Sequence, residues 1–389
     1  MDIHSEYKRI YGYSPAWLVR APGRVNLLGE HVDYNDGVVL PAAIDRAVHL
    51  ALGPADDGSV RLNALDLGEQ AAFRLDALDQ RIDLDGKPLP GWAFYPAGVA
   101  WALLKAGLRV GGMQAVYTSD VPIGAGLSSS AAVEVAFAAA WRALGGWQLG
   151  NLPLAQLCQR AENAYVGVNS GLMDQFSSAC GVEGHALYFD TRSLEWHPVR
   201  LPLGTAIVVA DSGMRRTLAG SAYNDRRAAC EQAVVLLQKY KPGLRSLRDI
   251  STVEFAAFSE YLPDEIRHRA EHIVKEIHRV QQAVNALRGD DARLFGGLMF
   301  AGHKSLRDLY QVSIPELDAL VETARDLPGI YGARLTGAGF GGCTVNLIEA
   351  TQAEDFIRGL IEGYRQRTGK EAKAYLCRAS AGVTARPGE

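Results

Sequence analysis

The stretch Arg24-Val-Asn-Leu-Leu-Gly-Glu-His-Val-Asp-Tyr34 limits what this chain can fold into more than any other. It gathers Arg24, Asn26, Glu30, His31, Asp33 and Tyr34 in one short segment, broken by Gly29 and preceded by Pro22-Gly23 and the apolar Trp17-Leu-Val. So many donors and acceptors beside an apolar run are costly to bury unless each is paired. A fold can leave the segment as a solvated, capped turn or close it around a polyhydroxylated ligand. For most polar clusters the turn reading wins. Here two further motifs with phosphate chemistry favour the pocket.

The first is Asp120-Val-Pro-Ile-Gly-Ala-Gly-Leu-Ser-Ser-Ser130, which runs into the helix-forming Ala131-Ala-Val-Glu-Val-Ala-Phe. Gly124 and Gly126 permit tight turns and close approach of a ligand. Ser128, Ser129 and Ser130 stand where helix N-caps belong, and the unpaired N–H groups of that first turn make an anion site. Gly-x-Gly alone reads as an ordinary capped loop, but the full string is much more specific. No lysine follows the glycines and neither His-Arg-Asp nor Asp-Phe-Gly occurs, which disfavours P-loop and protein-kinase mechanisms. The second is Leu335-Thr-Gly-Ala-Gly-Phe-Gly-Gly-Cys-Thr344, where four glycines in six residues exceed what a hairpin needs. They read as backbone packed against a ligand or another loop, with a purely structural turn as the alternative.

Two acids lie between these motifs. Glu162, in Leu157-Cys-Gln-Arg-Ala-Glu-Asn-Ala-Tyr, reads by itself as a solvated helix residue. Asp174, in Gly171-Leu-Met-Asp-Gln-Phe, sits among apolar neighbours, and is either a helix-start acid or a base beside a substrate hydroxyl.

The 389 residues, 48% hydrophobic and 22% charged, are ordinary for a globular chain and enough for two domains. A formal net charge of −4 gives no footprint for nucleic acid or an anionic membrane, so backbone amides and a metal must hold substrate anions. Five scattered cysteines without Cys-x-x-Cys argue against zinc and a disulfide framework. The opening residues lack the basic and apolar regions of a signal peptide, and the most apolar stretch, Ala131 to Trp141, carries Glu134 and is too short to span a bilayer. A cytoplasmic enzyme is expected.

Short β segments are predicted over 17–20, 37–52, 58–65 and 71–75, helices over 127–144, 153–166 and 171–180, and strands over 184–190, 194–200 and 205–211. A helix-rich stretch from about 219 to 327 follows, broken at Lys241-Pro-Gly and Leu262-Pro. Strand 333–336, a glycine turn, strand 343–348, helix 352–366 and strand 372–377 close the chain. Strands and helices interleave in both halves, which predicts an α+β molecule of two lobes, 1–190 and 191–389, with strands 184–211 assignable to either.

Taken together, Ala-Pro-Gly-Arg-Val-Asn-Leu-Leu-Gly-Glu-His-Val-Asp-Tyr-Asn-Asp-Gly (21–37), Gly-Ala-Gly-Leu-Ser-Ser-Ser (124–130) and Leu-Thr-Gly-Ala-Gly-Phe-Gly-Gly-Cys (335–343) resemble the galactokinases of the GHMP small-molecule kinase superfamily. Ala161-Glu-Asn, Gly171-Leu-Met-Asp-Gln and Ser221-Ala-Tyr-Asn-Asp-Arg-Arg match in order, so the likeness runs from about residue 8 to 380. Val32 stands where Thr is common, Ser170 where Cys is frequent and Ala338 where Gly is usual.

The resemblance implies a two-lobed GHMP kinase fold, each lobe a mixed sheet with packed helices, and an active site in the cleft between lobes. It implies Mg²⁺ and ATP-dependent phosphorylation of the C1 hydroxyl of α-D-galactose, in galactose catabolism. By the same resemblance Glu30, His31, Asp33, Gly171 and Tyr223 surround the sugar, and Asp174 faces its C1 hydroxyl with Arg24 beside it. Gly124, Ala125, Gly126, Leu127, Ser128, Ser129 and Ser130 wrap the ATP phosphates, Ser130 and Glu162 hold Mg²⁺, and Trp92 neighbours the adenine or belongs to the core. The competing readings are a sugar sensor on the same fold without turnover, and a related kinase for N-acetylgalactosamine, arabinose or another C1 hydroxyl. A monomer with no nucleic-acid or membrane partner is the default.

Overall fold

The computed structural model describes residues 2–122, 124–215 and 219–388. Ile123 of the phosphate-loop string and the side chain of Ser221 lie outside the described residues.

The first sheet holds β1 (Trp17–Leu28), β2 (Val38–Ala55), β3 (Ser59–Ala64), β4 (Glu69–Arg74), β5 (Gly112–Ser119), β6 (His185–Asp190) and β7 (Trp196–Arg200). The second holds β8 (Thr205–Asp211), β9 (Ile330–Thr336), β10 (Cys343–Glu349) and β11 (Lys373–Cys377), in the order β11-β8-β10-β9. The closing strand β12 (Thr384–Pro387) crosses back and pairs with β1. Strands 184–211 therefore divide, β6 and β7 joining the first sheet and β8 the second. An α+β architecture follows, with antiparallel pairings except β3 beside β5.

Helices α1 (Ile3–Tyr11), α2 (Phe94–Lys105), α3 (Ser129–Gly145), α4 (Asn151–Ala161) and α5 (Met173–Cys180) belong to the first half. The second carries α6 (Ala219–Leu237), α7 (Thr252–Phe258), α8 (Asp264–Arg288), α9 (Ala292–Ser305), α10 (Pro315–Asp326) and α11 (Ala353–Thr368). The alanine-rich run after Ser130 has high helix propensity and no polar face, so α3 is buried from Ala131 to Trp141 apart from Val133. It packs on β1 and β2, while α9 covers β9. One apolar core runs from β1, β2 and α3 through to α8 and Tyr310, tying the halves together.

Two local devices aim the site. The β1–β2 register shifts between Pro22 and Arg24 and again between Asn26 and Leu28, and such bulges bend a strand and redirect its side chains. At the first shift a Cβ on Gly23 would lie 2.7 Å from the Leu127 carbonyl oxygen, so only glycine lets β1 touch the phosphate loop. There the Arg24 N–H donates to that carbonyl at 3.0 Å.

Four elements went unpredicted: α1, α2, β5 and β12. The strand expected over 17–20 extends to Leu28 and so includes half of the polar segment.

Candidate active site

A cleft of about 460 Å³ is lined by Arg24, Glu30, His31 and Asp33, by the loop and helix start from Gly124 to Ser130, by Glu162 and Asp174, and by Tyr223, Gly337 and Ala338. Segments far apart in sequence thus line one cleft.

Asp174 is the second residue of α5 and makes no N-cap; the cap position is Leu172, without a side-chain bond. Its carboxylate instead takes Arg24 Nε at 2.9 Å and Nη2 at 2.8 Å on Oδ1, and the Ser128 hydroxyl at 2.5 Å on Oδ2. Arg24 Nη1 donates to the Gly126 carbonyl at 2.7 Å, so one nearly buried guanidinium joins the carboxylate to the phosphate loop. Ser128 precedes α3 with φ of 58° and no capping bond, which corrects the expectation of a serine cap: its hydroxyl serves Asp174. A carboxylate has about four lone-pair sites, and three are used here, leaving room for a ligand hydroxyl.

Elsewhere in the cleft Glu30 accepts from the Gly337 N–H at 2.5 Å and from the Asn26 amide. Burial pushes its carboxyl up, opposed by Arg334 and Arg24. His31 has φ of 63°, a left-handed conformation costly for a non-glycine residue and common at functional sites. Its Nε2 lies 3.2 Å from the Ala338 carbonyl, which can only accept, so that nitrogen carries the proton and Nδ1 accepts from the Tyr34 hydroxyl at 2.8 Å. The glycine-rich loop thus touches the polar segment through backbone atoms of Gly337 and Ala338. Asp33 opens a short 3₁₀ turn, Asp33–Asn35. Burial, then the nearby charges of Asp174 and Glu30, push its carboxyl to about 7. A Cβ on Gly171 would fall 1.8 Å from Asp33 Oδ2, so the missing side chain is the seat of that carboxylate. The Tyr223 ring, from α6, lies 5.6 Å from His31 and 5.4 Å from Tyr34.

Glu162 begins a π-helical turn after α4 and is 6% exposed, so the solvated reading of it is wrong. It bonds the hydroxyls of Ser170 and Ser130, and takes Gln175 Nε2 at 2.8 Å. The same nitrogen donates to Glu134 at 2.9 Å, a second buried acid whose other oxygen has no partner among the described residues. Burial raises both carboxyls. Glu134 was visible as a lone acid in an apolar helix; Gln175 carried no signal beyond its place in a motif.

Gly124, Gly126, Ser129 and Ser130 line the cleft, whereas Ala125 and Leu127 point into the core. Trp92 does not line it: the indole donates to Glu69 at 2.6 Å and the ring lies 6.0 Å from Tyr117. Arg215, ion-paired with Asp211 at 3.0 Å, brings a second guanidinium against Gly124, a contact no motif announced.

The chain matches the family models described as GHMP kinases N terminal domain over residues 95–182 and GHMP kinases C terminal over 283–366. Its fold matches the mevalonate kinase of Methanococcus jannaschii with a TM-score of 0.65 at 17% identity, over 93% of this chain and 98% of that one. Fold and paired N- and C-terminal models define a GHMP-type small-molecule kinase. The galactokinase galactose-binding signature matches residues 5–54. Galactokinases from Roseiflexus sp. (strain RS-1) and Homo sapiens are 47% and 43% identical, each over 98% of this chain and 96% and 95% of their own. The structure of Lactococcus lactis galactokinase complexed with galactose matches with a TM-score of 0.92 at 32% identity, covering 98% of both chains. The chain belongs to the galactokinase family.

Proposed function

We propose that this protein transfers the γ-phosphoryl group of ATP to the C1 hydroxyl of α-D-galactose, releasing galactose 1-phosphate and ADP. The observation that carries the reading is the three-way contact of Asp174 with Arg24 and Ser128, placed between the polar segment and the phosphate loop. Phosphoryl transfer passes through a loose transition state, so the protein mainly positions reactants and neutralises charge. Asp174 orients the C1 hydroxyl and accepts its proton. Arg24 holds Asp174 in place and faces the charge that develops on the transferring group. Glu30, His31 and Asp33 bind sugar hydroxyls, with Gly171 and Tyr223 closing the pocket. The backbone of Gly124–Ser130 receives the phosphates.

The lining fits a divalent cation, because its described residues bring four carboxylates against the Arg24 guanidinium, the nearby Arg215 being already paired with Asp211, and phosphate would add further negative charge. Ser130 and Glu162 offer the hydroxyl and carboxylate oxygens that Mg²⁺ takes alongside waters and phosphate oxygens. Mg²⁺ held there supplies charge neutralisation on the nucleotide phosphates.

We place the first lobe at about 1–200 together with β12 and the second from about 201 to 383, later than the 190 expected from the sequence because β7 pairs with β6. No described helix is long and apolar enough to cross a membrane. We further propose a cytoplasmic monomer. Coupled ADP release with galactose, glucose, N-acetylgalactosamine and arabinose tests the reading. Galactose is expected to give the highest kcat/KM. No ADP release above the ATP blank would favour the sensor reading, and a higher kcat/KM with another sugar would reassign the substrate.

A further inference from the structure

Behind the polar segment lies a buried set of side chains that do not line the cleft. His272 and Glu276 sit one turn apart on α8, and Arg334 projects from β9; none has any exposed surface. Each bonds a different main-chain group of one short stretch. His272 Nε2 lies 3.3 Å from the Glu30 carbonyl oxygen, with Nδ1 accepting from the Ser305 hydroxyl at 2.8 Å. Glu276 Oε1 takes the Gly29 N–H at 2.9 Å, and Arg334 Nη1 donates to the Leu27 carbonyl at 3.2 Å. Arg334 and Glu276 pair at 2.9 Å, and Arg279 pairs with the other Glu276 oxygen.

Buried ion pairs of this kind are poor sources of stability, since well-packed apolar residues often do as well. Their directional bonds do something apolar packing cannot: they fix where residues 27, 29 and 30 run. Those residues decide where Glu30 and the left-handed His31 point. We infer that His272, Glu276 and Arg334 are positioning residues for sugar binding, a clamp from α8 and β9 that holds the backbone of Leu27–Glu30. The inference rests on the proposed galactose pocket and extends it to side chains that never touch the sugar.

The test uses the full-length protein. His272→Phe keeps a flat ring, slightly larger, and removes the bonds to Glu30 and Ser305; Glu276→Gln keeps the shape and a Gly29 acceptor but removes the charge that pairs the arginines. For folded His272→Phe the galactose KM should rise about tenfold while kcat and the ATP KM stay within about twofold, as expected when only ground-state sugar binding is lost. Amide hydrogen exchange at residues 27–31 should rise, with residues 126–132 unchanged. Glu276→Gln should do the same, and if it fails to fold, His272→Phe decides. A lowered melting temperature with unchanged galactose KM and unchanged exchange at 27–31 would overturn the clamp, because that is what simple structural packing predicts. Faster exchange in a protein whose wild type does not turn over galactose would instead sustain the clamp and sink the substrate reading.

Discussion

Asp33 gives the pocket its response to pH. Burial beside Asp174 and Glu30 raises its carboxyl from 3.8 to about 7 in the folded protein. Between those values the folded state binds the proton more tightly than the unfolded chain, so this group's contribution to stability falls as pH rises from about 4 to about 7 and is constant above. Ligand-free Asp33→Asn should therefore gain melting temperature over the wild type at about pH 8 and show little difference near pH 4. The reverse pattern would contradict the burial argument. The ionised carboxylate is the better acceptor for a sugar hydroxyl, so kcat/KM for galactose should rise through a midpoint near 7 and lose that limb in Asp33→Asn. Glu162 makes a separate prediction. Replacing it by Gln keeps an oxygen but not the charge, and should raise the free Mg²⁺ needed for half-maximal rate by about tenfold or more. An unchanged requirement would remove Glu162 from the metal site.

At the scale of elements, close approach between loops is what builds the pocket. The start of α5 reaches Asp33 only because Gly171 has no side chain. Gly171→Ala should displace the Asp33 carboxylate, raise the galactose KM and cost roughly 1–3 kcal/mol by overpacking, read in denaturant melts. A normal KM with normal stability would mean that Asp33 is not seated there. Both contact partners were legible because each stands in its own local string. So were most strands and helices, where apolar periodicity and glycine punctuation agree. Arg24 beside Asp174 was implied by the family likeness, but from the residues by themselves the pairing across the cleft was not legible: Ser128 looked like a cap and Glu162 like a solvated acid, since a residue's burial depends on elements that arrive later in the chain. The same blindness hid His272, Glu276 and Arg334, whose charges in helix and strand look like surface. It also hid β12, four residues whose strand character comes from the edge of β1 they join.

The whole molecule makes one site from two halves. Thr336, at the end of β9, exchanges hydrogen bonds with the Asn26 main chain of β1 at 2.9 and 3.2 Å. Gly337 and Ala338 then meet Glu30 and His31, while Arg24 joins α5 to the phosphate loop. On the proposed mechanism, sugar and phosphate chemistry therefore meet at Asp174. The galactose and ATP dependence of ADP release by Asp174→Asn, alongside galactose binding by the same variant, tests this most directly. The account predicts retained galactose binding with turnover reduced by roughly two orders of magnitude or more, the scale of a lost general base. Near-normal turnover in the folded variant would contradict it.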